Sequence, residues 1–218
     1  MIISGFERRL PWSGAIAGLA WIGQELLFRT STEGAPGAAT TSEIRQHLAA
    51  NYAAVGCLVI MGIALVFFAT AVRGLLRSHE AREATYSSIA YGGLLLAAAA
   101  LAQMVVWSWA LINGAADAGD DSALHVLSFV SYFGWAGMGI GIATTLVAMG
   151  LAGIKNAVLP RWFSISSLVL GVLAALGNAG IPPGGLVNYL LLPVWLVAAS
   201  VIVARRQVRE SDHQAIRL

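Results

Sequence analysis

Six apolar segments follow one another along the chain, each bounded by a short polar or charged stretch. They are Leu10–Phe28, Gln46–Val72, Tyr86–Ile112, Val126–Gly153, Phe163–Gly180 and Leu186–Ala204. Each approaches or exceeds the roughly 20 helical residues needed to cross a bilayer. A membrane β-barrel would require alternating strands, but runs such as Gly92–Ala102 are apolar without alternation. Backbone N–H and C=O groups find no water in hydrocarbon and must bond within their own segment. The pattern therefore predicts an all-α fold, a polytopic membrane helix bundle of six transmembrane helices over residues 1–204, followed by a basic tail over 205–218.

Composition sharpens this reading. Apolar residues make up 58% of the chain and charged ones 11%, with mean hydropathy +0.75. A soluble domain of this length carries about 25% charged residues, so too few are present to coat a water-facing surface. The apolar fraction excludes disorder. A single cysteine, Cys57, excludes a disulfide scaffold. The net charge of +2 is segregated along the chain and builds no nucleic-acid patch, so nucleic acid is not an expected partner.

That segregation predicts orientation. Arg8, Arg9, Arg73, Arg77, Arg82, Lys155, Arg161, Arg205, Arg206, Arg209 and Arg217 fall on one side of the six spans, and only Arg29 and Arg45 on the other. Such an excess marks the cytoplasmic side, placing both termini there and the acidic loop around Asp117, Asp120 and Asp121 outside. Arg8 and Arg9 before an apolar run also suit a signal peptide. That first run is long enough to span and contains Gln24 and Glu25, so a retained helix is expected. The basic residues at the start of the tail should meet anionic headgroups.

Short connections predict antiparallel neighbours. Gly14 and Gly18, Gly92 and Gly93, and Gly137, Gly139 and Gly141 are small enough to let helix backbones approach in lipid. Pro193 is expected to kink the last span. Trp12 and Trp162, with Trp107 and Trp109 at the opposite boundary, suit an interfacial belt. Sliding the chain so that Glu43 falls on Asp121 also puts His47 on His125, Gly56 on Gly134 and Arg77 on Lys155. This suggests a duplicated hairpin over 43–112 and 121–180, while the matches in Leu, Ala and Gly add little.

Candidate chemistry clusters in the outer half. Glu25 is the one acid inside a span, and intramembrane ionisable groups are functional suspects. Gln103, Asn51, Asn178 and Asn188 share that half, whereas the inner half carries little beyond Thr70, Thr144 and Thr145. One-sided polarity argues against an ion path through the bilayer and permits an outward pocket. Convergence of Glu25, Gln103, His47 and His125 would form it; otherwise these groups are helix-to-helix and interfacial hydrogen-bonders. Glu43 with His47, and Asp121 with His125, each place an acid and an imidazole one helical turn apart. The two pairs could ligate a divalent metal, or the two histidines a haem iron. Equally, the acids suit the positive ends of helix dipoles, and no cofactor is favoured.

Other chemistries find no support. There is no phosphate-binding glycine loop, no Ser/His pair within the spans, and the only lysine, Lys155, lies in a loop. Three short stretches remain: Arg73-Gly74-Leu75-Leu76-Arg77, Ala123-Leu124-His125 and Leu159-Pro160-Arg161-Trp162. In these and in its six-span layout the chain resembles a bacterial inner-membrane family catalogued as a domain of unknown function. The resemblance implies the architecture and a location in the bacterial cytoplasmic membrane, and it lends no catalytic residue. Six-helix membrane cytochromes are a more distant likeness; their histidine pairs lie on four central helices, and here the third and fifth spans have none. The reading is of a non-enzymatic membrane protein that binds a small or lipidic ligand, or a partner membrane protein or second copy, through its outer half. The alternative is a redox protein with one haem or metal on His47 and His125; a secondary transporter fits less well.

Overall fold

The first apolar segment folds in two steps. A 3-10 helix, Glu7–Trp12, contains Pro11, and α1 (Ser13–Leu27) continues from it. The computed structural model describes residues 6–31, 37–81, 83–181 and 184–216, with side chains at 6, 8–31, 37–81, 83–181 and 190–209. After α1 come α2 (Thr41–Gln46), α3 (Leu48–Arg77), α4 (Thr85–Trp109), a π-helical stretch (Ala110–Ala115) and α5 (Ala116–Ala118). The chain continues through α6 (Asp121–Phe133), α7 (Trp135–Asn156), α8 (Arg161–Asn178) and α9 (Gly184–Ile216). No strand occurs among the described residues.

Five helical stretches are long and apolar enough to cross a bilayer: Leu48–Arg77, Thr85–Ala118, Asp121–Asn156, Arg161–Asn178 and Leu190–Arg209. They imply a lipid bilayer as the protein's surroundings. The α-helical part of the first segment has only 15 residues and is not among them. Several boundaries differ from the sequence pattern. The third segment runs on through the π-helical stretch to Ala118, and the fourth is two helices meeting at Gly134. The last continues through Pro193 to Ile216, so Arg205, Arg206 and Arg209 extend a helix rather than begin a separate tail.

Capping follows the local residues. Thr40 accepts a bond from Glu43 N–H at 3.3 Å and opens α2. Asp120 does the same for α6, accepting from Ala123 N–H at 3.0 Å. Both relieve amides that a helix start leaves unpaired. At α4 the preceding loop supplies the acceptor. The Glu80 carboxylate takes the Ser87 amide at 2.9 Å and the Ser87 hydroxyl at 2.7 Å, a negative group at a positive helix end.

α1 and the long apolar helices form a ring in chain order. α1 packs on α3, α3 on α4, α4 on α7, α7 on α8, α8 on α9, and α9 returns to α1. Its interior holds Trp21, Leu58, Met61, Leu65, Phe68, Leu94, Leu101, Met104, Leu146, Met149, Phe163 and Trp195. Small residues set the closest contacts. A Cβ on Gly93 would lie 2.5 Å from Thr145 Oγ1 and 2.7 Å from the Gly141 carbonyl, so α4 and α7 touch almost backbone to backbone. Gly18 likewise faces the Pro193 carbonyl of α9, 2.7 Å from where its Cβ would be. Gly92 meets nothing within 4 Å and takes no part in this packing.

Side-chain contacts identify the two ends of the ring. Lys155 lies 5.6 Å from the Tyr86 ring, Arg73 5.0 Å from the Tyr91 ring, and Gln207 donates to the Ala71 carbonyl at 3.4 Å. These join the ends of α3, α7 and α9 to the start of α4 as one basic end. At the other end a small second core gathers Ile44, Val55, Leu111, Ile112, Ala115, Ala116 and Leu124.

Candidate functional site

At the end opposite the basic one, a cavity of about 280 Å³ opens inside the ring. Its walls come from six parts of the chain. The last turn of α1 and the segment after it contribute Gln24, Glu25, Phe28, Arg29, Thr30 and Ser31. Leu58 comes from α3, Met104 and Ser108 from α4, Leu111 from the π-helical stretch, Ser128, Ser131 and Tyr132 from α6, and Trp135 from α7. Arg29 and Tyr132 are exposed and mark the rim. Trp135 stacks on Trp21 at 5.1 Å with planes 12° apart, a pair that crosses the ring between α1 and α7 behind the cavity.

Local structure positions these groups. α1 stops after Leu27 because the backbone turns extended at Phe28 (φ −72°, ψ 116°). Asn51, fully buried, holds that exit from both sides. Its Oδ1 accepts the Arg29 amide at 2.7 Å, and its Nδ2 donates to the Arg29 carbonyl at 2.8 Å. The Arg29 guanidinium folds back to the carbonyls of Phe28 at 3.2 Å and Glu25 at 3.5 Å, where a cation complements the end of a helix. Facing it, Ser128 Oγ accepts the Gly37 amide at 3.1 Å and His125 Nδ1 lies 3.0 Å from the Gly37 carbonyl. The wider π-helical turn begins at Ala110, two residues past Ser108; such turns recur at functional sites.

The polar lining is not fully satisfied. Gln24 is 5% exposed and Ser131 9%, and neither Gln24 Oε1 nor Ser131 Oγ has a hydrogen-bond partner. A buried polar atom left this way costs about 1–3 kcal/mol. Both belong to residues that line the same cavity, and buried polar groups are as a rule paired.

The sequence candidates separate. Glu25 lines the cavity. Asn51 does not, but it fixes the backbone of Arg29, which does. Gln103 is exposed on the outside of α4, while the neighbouring Met104 and Ser108 face inward. Asn178 fits against Gly139, where a Cβ would collide with its amide, and its Nδ2 is buried without a partner. The side chain of Asn188 lies outside the described residues. His47 stands 3.6 Å from Glu43 on the short α2 turn, and His125 meets the edge of Phe129 with ring centroids 4.9 Å apart. Asp121 is exposed in the first turn of α6. Neither histidine lines the cavity, so the four-residue convergence of Glu25, Gln103, His47 and His125 does not form. Among the described residues no three His, Cys, Asp or Glu side chains are placed to hold a metal ion.

Sequence reasoning passed over Gln24, Ser108, Ser128 and Ser131. One signal was present: Asp121, His125, Ser128 and Tyr132 recur at helical spacing along α6. A serine is a weak flag, since its hydroxyl can bond to its own helix. No family model, curated protein or solved structure matches the chain.

Proposed function

We propose that this protein is a six-span membrane protein whose outward-facing end binds a small polar ligand, without chemistry of its own. One observation carries the reading: two residues that line the cavity, Gln24 and Ser131, each carry a buried polar atom, Oε1 and Oγ, without a hydrogen-bond partner. A bound molecule would supply the missing partners, as ligand sites use a few placed polar groups within an apolar lining. The first segment counts as the sixth span on length. Its 3-10 and α-helical parts together rise about 34 Å, at about 2.0 and 1.5 Å per residue. The Lys/Arg bias then puts the cavity end outside and both termini in the cytoplasm.

The test is a thermal-unfolding screen of the full chain in lipid nanodiscs against small amines, carboxylates, sugars and neutral alcohols. At least one class should stabilise the protein and fail to stabilise Ser131→Leu, which fills the cavity. If every class acts equally on both proteins, or on neither, the cavity is not a binding site.

A further inference from the structure

The acceptors and charges around the cavity point to the chemistry of its occupant, an inference that rests on the cavity being a ligand site. We propose that it takes a primary ammonium group, held by Gln24 and Glu25 and carried on a small apolar body. Gln24 Oε1 is a carbonyl oxygen and can only accept hydrogen bonds. It is buried, has no partner, and belongs to a residue that lines the cavity. Glu25, the next residue, brings a carboxylate to the same wall, and an ionised carboxylate also only accepts. An ammonium group is the matching partner, with three donors and no acceptor. Ser131 Oγ, also unpartnered, can accept a further one.

An anion would instead meet lone pairs facing lone pairs at Gln24, beside the Glu25 carboxyl group. Arg29, the one cation in the lining among the described residues, does not supply an anion site within: it is exposed at the rim and bonded to the Phe28 and Glu25 carbonyls. The remaining walls suit an apolar body. Leu58, Met104, Leu111, Phe28 and the rings of Tyr132 and Trp135 line them, and aromatic rings attract cations as well as apolar groups. A volume of about 280 Å³ equals roughly nine waters at about 30 Å³ each, enough to accommodate a single-ring amine.

Calorimetric titration of the full chain in nanodiscs with benzylammonium, benzyl alcohol and benzoate tests the assignment. Benzylammonium should bind at one site per chain, at least tenfold more tightly than either ring analogue. Glu25→Gln should lose at least tenfold of that affinity. Gln24→Met, which keeps length and removes the acceptor, should do the same, so that a folding defect in one variant does not decide the result. Equal binding of benzyl alcohol, preferred binding of benzoate, or unchanged affinity in both variants would overturn the ammonium assignment while leaving the cavity a ligand site. Silence of all three probes overturns it too, and the broader thermal screen then decides separately whether the cavity binds anything.

Discussion

Two side chains at the mouth of the bundle show opposite solutions to burying a polar group. Asn51 is fully buried and satisfied, trading two bonds with the backbone of Arg29. Asn51→Leu would leave both backbone groups unpaired. Unfolding measurements in detergent should find it about 2–4 kcal/mol less stable, with the α1 exit loosened. Ser131 is buried and unsatisfied, so Ser131→Ala removes a cost rather than a bond. The ligand-free protein should be unchanged or more stable by up to about 1 kcal/mol. A loss of about 1 kcal/mol or more would mean that the hydroxyl has a partner after all. A residue kept at the expense of stability is the pattern expected of a binding site.

Helix contacts place that site, and the tightest of them is the crossing of α4 and α7. Gly93 and Gly141 face one another there; a Cβ on Gly141 would lie 2.5 Å from the Gly93 carbonyl and from the Ala97 amide nitrogen. Gly141→Val must push the helices apart and should cost about 1–3 kcal/mol, read as a lower melting temperature. Gly92→Ala is the internal control, since that position is open. It should be neutral or stabilising by about 0.5–1 kcal/mol, the usual gain of replacing a helical glycine. Beyond the crossing, the break at Gly134 and the π-helical turn after Trp109 interrupt regular helix. Regular packing gives way to the cavity at this level, where Ser108, Leu111, Ser131 and Trp135 meet.

For the whole molecule the decisive property is which end faces outward. The basic end joins Arg73, Lys155 and Gln207 to the starts and ends of their neighbours, and positive residues are retained in the cytoplasm. In a Cys57→Ala background, an impermeant maleimide applied to intact cells should label Asp117→Cys. Ser78→Cys should react only after permeabilisation. Labelling of Ser78→Cys from outside would turn the cavity toward the cytoplasm and remove any role in sensing an external ligand.

How much of this was legible in the sequence follows from lipid physics. An apolar run in hydrocarbon has one backbone solution, so the long helices and the segregation of arginine could be read directly, while the helix ends at Ala118 and Ile216 and the break at Gly134 could not. The close-packing role of Gly93 and Gly141 could be read too, because only small residues permit such contact. Rotation of each helix about its axis could not. In a bilayer the lipid-facing and interior positions are both apolar, so no polar stripe marks the inner face. Gln103 and Met104 are adjacent; packing turns Met104 inward and leaves the amide outside. Gln24 read as an interruption of the first span, but the end of α1 turns it into the cavity. His47 and His125 matched in spacing, yet one sits at the junction of α2 and α3 and the other against a loop. The sequence by itself determined which five long stretches are apolar enough to cross a membrane, because hydrocarbon leaves an apolar run one backbone solution, and tertiary packing alone decided which polar groups meet.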